Sequence, residues 1–143
     1  MFAAFTFAAC EQAPSTNEIW YTATAKVEPR FEDALIFGAD VVSNVWDSET
    51  KRGVISFNGD VTMIGEAAFN KCDKLTAITL PEGVTTIGKE AFYDCYGLTE
   101  FTIPDGVTSI GSQAFYSCIS LTSVTIPDSV MEIGTQVFRY CYS

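Results

Sequence analysis

The sequence predicts an α/β solenoid in which four coils of 23 residues stack on one another. Residues 52–74, 75–97, 98–120 and 121–143 align as four copies of one pattern, and five columns of that alignment never vary. A fixed period of about 20 to 50 residues marks a unit that buries its apolar face only by stacking on copies of itself. Each coil is expected to contain a short parallel strand, a turn and a short helical turn.

The five invariant columns are interpreted as the structural core of the repeats. They hold valine, isoleucine, glycine, phenylalanine and cysteine: Val61, Val84, Val107, Val130; Ile64, Ile87, Ile110, Ile133; Gly65, Gly88, Gly111, Gly134; Phe69, Phe92, Phe115, Phe138; and Cys72, Cys95, Cys118, Cys141. Because these residues make the scaffold, recognition is expected to depend on the positions that vary.

Each coil begins with six residues that alternate as a short strand does. In residues 121–126 we expect Leu121, Val124 and Ile126 to face the core. The outward positions of the four coils are the pairs Val54/Ser56, Ala77/Thr79, Glu100/Thr102 and Ser123/Thr125. Stacked about 4.8 Å apart, they would form one face of a parallel sheet that is small and rich in hydroxyl groups.

A turn and a second apolar segment follow the strand. Proline, which cannot donate a hydrogen bond to a ladder, ends the strand, as at Pro104. The invariant glycine precedes the predicted helical turn, which in the third coil is 112–118, and we expect that glycine to need a positive φ. Phe115 and Cys118 lie three residues apart and should face the core.

The cysteine column suggests either disulfides or a metal site. Cysteines one coil apart would lie within the Cα range of a disulfide, but a column repeated in every coil would have to pair alternately. The sequence has no histidine and no C-x-x-C pair, so zinc lacks its usual ligands. We therefore predict buried, reduced thiols that pack as small apolar groups, with no metal and no cofactor.

Carboxylates form a further column after the strand, at Glu82, Asp105 and Asp128. A ladder of carboxylates could bind calcium outside a cell, because that ion prefers several oxygen ligands. The simpler interpretation is that these are solvated turn residues.

Residues 18–51 lie outside the period and are predicted to form a β-rich N-terminal cap. The segments 19–27 and 41–46 alternate as strands do. A cap covers the apolar end that the first coil would otherwise expose to water. The residues expected to cover it are Trp20, Phe31, Leu35, Ile36, Phe37 and Trp46. An alternative interpretation makes Trp20 or Trp46 a platform on which a sugar stacks.

Residues 1–17 are predicted to be a signal-like segment and a linker. The first nine residues are an apolar run, too short to cross a bilayer as a helix, and small residues precede Cys10. This segment resembles a bacterial lipobox, in which Cys10 would become the acylated N-terminus. Ordinary secretion and a truncated N-terminus are the other interpretations, because no Lys or Arg precedes the apolar run.

The net charge of −10 is divided equally between residues 1–51 and 52–143. Neither part offers a cationic face, so phosphate backbones and anionic lipid headgroups would be repelled. Histidine is absent, which removes the commonest participant in acid–base and nucleophilic catalysis. No pair of titratable residues suggests an active site, and we predict that the protein is not an enzyme.

Tyrosines form a set of candidate binding residues. Tyr93 and Tyr116 follow the core phenylalanine in adjacent coils, and Tyr96 and Tyr142 share another column. They could anchor a partner or simply shield the predicted helical turn. The candidate ligand surface comprises Ala77, Thr79, Glu100, Thr102, Ser123, Thr125, Tyr93, Tyr116 and Arg139.

The repeat pattern L-x-x-[IFV]-x-[IL]-P-x-x-V-x-x-I-G-x-x-[AV]-F-x-x-C closely resembles the BspA-like leucine-rich repeat family of bacterial surface proteins. The resemblance covers residues 52–143, and residues 19–24 and 54–65 also resemble N-terminal segments of such proteins. It implies a right-handed leucine-rich-repeat solenoid, secreted or held at the bacterial surface, that adheres to host or neighbouring-cell proteins. Matrix glycoproteins such as fibronectin and fibrinogen are ligands associated with the family.

We therefore expect a non-enzymatic surface binding module for a protein partner, with a glycan-binding module that uses exposed aromatic residues as the alternative. Many members of the family carry more repeats and a closing segment, whereas here Leu121, Ile126, Ile133 and Phe138 would border an open edge. Either the sequence is a fragment of a longer protein or that edge pairs with another chain.

Overall fold

The computed structural model describes residues 14–30 and 36–143. Cys10, Phe31 and Leu35, to which the sequence analysis gave roles, lie outside the described residues. Ten strands are present: β1 (Glu18–Ala23), β2 (Val41–Asp47), β3 (Arg52–Phe57), β4 (Met63–Ile64), β5 (Leu75–Thr79), β6 (Thr86–Ile87), β7 (Glu100–Thr102), β8 (Ser109–Ile110), β9 (Ser123–Thr125) and β10 (Glu132–Ile133).

The strands form two sheets, and each coil contributes one strand to each sheet. The larger sheet has the order β2-β3-β1-β5-β7-β9 and the smaller one β10-β8-β6-β4. In the smaller sheet all pairs are parallel, and isoleucines 23 positions apart lie side by side from Ile64 to Ile133. Parallel strands stacked at the sequence period are the arrangement that the repeats predict.

The first coil departs from the predicted stacking because β1 lies between β3 and β5. β1 pairs antiparallel with both strands. Val54 therefore lies opposite Trp20 and not beside the strand of the second coil. Although Val54 was expected to be an outward, exposed position, it is only 7% exposed. The segment before the repeats thus supplies a central strand of the repeat sheet.

The N-terminal residues cover the apolar end of the first coil. Phe37 is buried, and its ring lies 5.1 Å from that of Phe57 and 5.9 Å from that of Phe69. Ile36 and Trp46 are partly buried against the same core. Trp20 alternates along β1 with buried residues and is itself only partly buried, so its side chain lies on the outer face and does not plug the core.

The phenylalanine column runs through the core of all four coils. Ring centroids are 5.3 Å apart between Phe69 and Phe92, 5.2 Å between Phe92 and Phe115, and 5.4 Å between Phe115 and Phe138. The first two pairs are nearly parallel, with interplanar angles of 3° and 8°. Stacked rings at the coil spacing join the coils through their centre.

The predicted short helical turn is not confirmed. The corresponding segments, 89–94 and 112–117 among them, are runs of turns whose N–H groups donate to the next coil. Phe92 N–H, for example, donates to the carbonyl of Ala114 at 2.8 Å. Two residues in each segment have a positive φ, which interrupts a right-handed helix. They are Ala67, Lys71, Glu90, Asp94, Gln113, Ser117, Gln136 and Tyr140.

The expectation of a positive φ at the glycine column is wrong, because Gly38 is the glycine of the described residues that has one. The column is glycine because adjacent coils approach too closely for a side chain. A Cβ at Gly88 would lie 2.7 Å from the carbonyl carbon of Gly65, and one at Gly111 would lie 2.4 Å from the backbone nitrogen of Lys89. At this point the Gly88 N–H donates to the carbonyl of Ile64 at 2.6 Å.

Replacing Gly88 by alanine should therefore destabilise the fold by about 1–3 kcal/mol, because a methyl group must separate two coils that are packed backbone to backbone. Chemical denaturation monitored by circular dichroism measures this change. The matched control is Gly83→Ala in the same coil, where an added Cβ comes no closer than 3.4 Å to the carbonyl oxygen of Val61. The control should stay within about 0.5 kcal/mol of the wild type. Equal effects at the two positions would contradict the close-approach explanation.

Candidate interaction surface

Tyrosines from successive coils stack along one flank of the repeats. The rings of Tyr93 and Tyr116 are 4.8 Å apart and inclined by only 2°. Tyr116 meets Tyr140 edge-on at 5.1 Å, and Tyr140 lies 5.9 Å from Tyr142. The phenol rings therefore form one connected row.

A second column on the same flank is more exposed. Tyr96, Ile119 and Tyr142 occupy one position in three successive coils and are 44%, 46% and 74% exposed. Tyr142 also belongs to the stacked row through its contact with Tyr140. We call the two columns together the aromatic flank, which consists of Tyr93, Tyr96, Tyr116, Ile119, Tyr140 and Tyr142. Contiguous exposed apolar patches on soluble proteins commonly mark sites of interaction.

The backbone of the turn segments fixes the aromatic flank in place. The N–H of Tyr93 donates to the carbonyl of Glu90 at 3.1 Å, and the carbonyl of Tyr93 accepts from the N–H of Lys71 at 2.7 Å. Tyr116 is held in the same way, by Gln113 and by Asp94 of the preceding coil. Because both backbone groups of each tyrosine are bonded, little ordering of the backbone is needed when a partner binds.

Arg139 shares its column with Tyr93 and Tyr116 and lies at the end of the row. Its guanidinium is 4.9 Å from the ring centroid of Tyr140 and donates to the Tyr140 hydroxyl at 3.1 Å. Tyr140 was missed by the sequence analysis, because the same column holds no other aromatic residue. Ile119 was also missed, although its position between Tyr96 and Tyr142 was a signal that could have identified it.

Tyr96 and Tyr116 of the flank have raised pKa values and stay protonated at neutral pH. Partial desolvation raises the pKa of Tyr96, and the charge of the neighbouring Asp94 carboxylate raises the pKa further. Partial desolvation and contact with Tyr140 raise the pKa of Tyr116. The surface is consequently aromatic, with hydroxyl groups as its polar component and one carboxylate beside it.

The other predicted ligand residues lie on the outer face of the larger sheet. Ala77, Glu100 and Ser123 are in register across three parallel strands. Thr102 lies opposite Thr125 in the same ladder. The β1 strand extends this face, with Trp20 opposite Thr79 and Thr22 opposite Ala77. The nine predicted residues therefore fall into two groups, one on the strands and one on the turn segments.

The cysteine column is built into the scaffold. The thiols of Cys95, Cys118 and Cys141 each donate to a backbone carbonyl of the preceding coil at 3.1 to 3.2 Å. All four repeat cysteines are free, and Cys95 and Cys118 are fully buried. Burial raises the pKa of Cys118 to about 12 and that of Cys95 well above its ordinary value. These thiols are therefore structural groups with little nucleophilic character.

The residues of the carboxylate column lie at the surface of successive coils. Glu82, Asp105 and Asp128 are exposed in their turns. Within residues 14–30 and 36–143, no three His, Cys, Asp or Glu side chains are arranged so that they could hold a metal ion. The same residues contain no helix that is long and apolar enough to cross a membrane.

Parallel strands that recur with the sequence period around a single apolar core define a leucine-rich repeat protein. The sequence pattern described as "BspA type Leucine rich repeat region" matches residues 43–143, in six copies. The chain belongs to this family, which confirms the resemblance seen in the repeats. The matched region begins inside β2 and so includes most of one strand that precedes the 23-residue repeats.

Solved structures similar to the chain are leucine-rich repeat proteins of bacteria. One from Bacteroides ovatus is 34% identical, with a TM-score of 0.56, over 57% of this chain and 21% of its own length. One from Bacteroides capillosus is 33% identical, with a TM-score of 0.53, over 71% of this chain and 68% of its own. A leucine-rich cell surface protein from Faecalibacterium prausnitzii is 41% identical, with a TM-score of 0.52, over 57% of this chain and 23% of its own.

The chain thus spans only about a fifth of the length of the B. ovatus protein, since it covers 21% of it. None of the curated protein sequences matches the chain.

The buried thiols give a testable expectation about pH. A Cys118 pKa raised from 9.0 to about 12 stabilises the fold below pH 9, and this contribution is lost as the pH rises toward about 12, because only the unfolded chain then ionises the thiol. The melting temperature should fall over that interval.

Iodoacetamide labelling near neutral pH provides the companion measurement, with peptide mapping to separate the repeat cysteines from Cys10. Half-buried Cys141 should react before Cys95 and Cys118, which should react only on unfolding. Labelling of the native protein as fast as in denaturant would contradict the structural assignment of these thiols.

Proposed function

We propose that the chain is a non-enzymatic binding module, secreted or held at the bacterial surface, which mediates adhesion to proteins of a host or a neighbouring cell. The observation that carries this proposal is the aromatic flank, an exposed and ordered apolar surface on the repeats. Tyrosine is enriched at protein interfaces because it buries a large area at a small cost in conformational entropy.

A protein partner fits the aromatic flank better than a small ligand does. Its exposed members come from three successive coils and form rows that run across them. Such an extended surface suits the broad contact that proteins make with one another, in which a few aromatic anchors supply most of the binding energy. The outer face of the larger sheet, with Ala77, Glu100 and Ser123 in register, is the second surface that a partner could cover.

Matrix glycoproteins are the first partners to test, because the family resemblance implies them. A surface of a few coils gives modest affinity in a single contact, so adhesion would depend on many copies of the module acting together.

A surface location is supported by the F. prausnitzii relative, which is described as a cell surface protein. We propose that Cys10 is the point of lipid attachment. Because β1 starts at Glu18, a short distance along the chain, a lipid at Cys10 would hold the N-terminal cap near the membrane.

For the architecture, we propose a right-handed solenoid formed by residues 52–143, with residues 18–51 as its cap. The parallel pairing of β5, β7 and β9 and of β4, β6, β8 and β10 supports a continuous stack of coils. The covering of the first coil by Phe37 supports the capping role.

Self-association is proposed at the last coil. Met131 is 85% exposed and Ile133 is 52% exposed, and Ile126 is exposed beside them. These residues border β9 and β10, the strands at one edge of each sheet. A second copy that covered them would pair the free strand edges and bury the apolar side chains.

Replacing both Tyr93 and Tyr116 by alanine should reduce capture of immobilised fibronectin or fibrinogen by about tenfold or more, since a few buried aromatic residues dominate such interfaces. Surface plasmon resonance measures the change. The matched control is Thr86→Ala with Ser109→Ala, a pair from the same two coils that lies on the smaller sheet and should bind as the wild type does. If instead a glycan array binds the wild type while matrix proteins do not, and the tyrosine variant loses that binding, the glycan alternative replaces this proposal.

Self-association is tested separately by size-exclusion chromatography over a range of concentrations. Ile133→Glu places a charge in the exposed apolar edge and should convert a dimer to a monomer. Val42→Glu is the matched control, because Val42 is also exposed but lies on β2, at the other edge of the larger sheet. A wild-type protein that stays monomeric throughout would rule out pairing through this edge.

A further inference from the structure

Charge is distributed unevenly around the aromatic flank. Residues 90–143 contain six carboxylates and a single cation, Arg139. The other cations of the repeats lie earlier in the chain, and Lys74 and Lys89 among them form ion pairs with neighbouring carboxylates. The coils that carry the aromatic flank therefore present a negative surface.

Arg139 shows how this surface accommodates a cation. Its guanidinium lies over the ring of Tyr140 and donates to the phenol oxygen of the same residue. A positive charge over an aromatic face is attracted by the negative face of the ring. The chain thus contains one internal example of an arginine that is bound by a tyrosine of the flank.

Tyr96 and Asp94 together provide an aromatic ring and a carboxylate that suit a cation, but no cation of the described residues occupies this position. Tyr96 is exposed, and among the described residues it has no stacking ring partner comparable with that of Tyr93. The carboxylate of Asp94 lies close enough to the Tyr96 phenol for its charge to raise the pKa of that group, and Asp94 forms no ion pair within residues 14–30 and 36–143. An aromatic face and an unpaired carboxylate therefore lie side by side on the flank.

We infer that the partner surface of the aromatic flank is cationic and that Tyr96 and Asp94 receive an arginine side chain from it. This inference rests on the proposed function, which it makes more specific. Arginine is favoured over lysine, because a planar guanidinium can stack on a ring while it donates two parallel hydrogen bonds to a carboxylate. The net charge of −10 steers such a partner toward the protein.

The experiment uses three synthetic peptides of one sequence that contain arginine, lysine or citrulline at the same positions. Citrulline keeps the shape of arginine but has no charge. Binding to the full chain is measured by fluorescence titration at low and at high salt. The arginine peptide should bind most tightly and the citrulline peptide most weakly, and the difference between arginine and citrulline should shrink at high salt.

Single substitutions test whether the preference for arginine depends on Tyr96 and Asp94. Tyr96→Ala should weaken binding of the arginine peptide by about two- to fivefold, whereas Tyr96→Phe, which keeps the aromatic face, should bind nearly as the wild type does. Asp94→Asn should reduce the preference for arginine over lysine, and asparagine tolerates the positive φ at this position. Asp105→Asn, in the exposed turn after β7, removes the same charge outside both candidate surfaces and is the matched control.

Equal binding of the arginine and lysine peptides would overturn the inference, and so would an Asp105→Asn effect as large as that of Asp94→Asn. Either result would show that only the overall negative charge attracts the peptides. The capture experiment with Tyr93 and Tyr116 distinguishes this failure from failure of the proposed function. If capture of matrix proteins depends on those tyrosines while no arginine preference is found, the proposal of a binding module is retained and the inference of a cationic partner is rejected.

Discussion

The close approach of neighbouring coils at the glycine column is the constraint on which the structure depends. Gly88 and Gly111 lie where a Cβ would meet the backbone of the preceding coil, and each donates its N–H to an isoleucine carbonyl there. At this separation the strands pair on two sides of the coil, and the turn segments pair on the third side through N–H groups such as that of Phe92. The same separation places the phenyl rings in contact, so hydrogen bonding and packing require one common spacing.

The spacing of the surface tyrosines follows from the spacing of the core phenylalanines. Tyr93 and Tyr116 stack because the phenylalanines that precede them stack, and their backbone groups are bonded to adjacent coils. A row of aromatic side chains fixed by the scaffold is suited to binding, since a partner does not have to order it. The buried cysteines serve the scaffold in another way, by satisfying carbonyl groups between coils such as that of Phe92. The columns that resemble chemical sites are structural, and the less regular columns make the exposed surface.

The N-terminal segment does more than cover the apolar end of the first coil, because it also supplies a strand to the larger sheet. By inserting β1 between β3 and β5, it gives the first regular coil strand a partner on its open side and ends the parallel ladder with an antiparallel one. Gly53 allows this, because a side chain there would overlap the ring of Tyr21. The arrangement also extends the outer face of the sheet from the repeats onto β1, where Trp20 lies opposite Thr79.

The sequence by itself determined the repeat, its period, its family and most of the residues that face the core, because a unit of 23 residues can bury its apolar columns only against copies of itself. It also located the stacked Tyr93 and Tyr116. Tertiary structure decided the insertion of β1 and the turn segments that replace the expected helical turn. It also explains why the invariant column is glycine. Each depends on contacts between residues distant in sequence, such as Gly88 with Gly65. The same holds for Tyr140, whose column carries no aromatic signal and which joins the flank only because the coils stack.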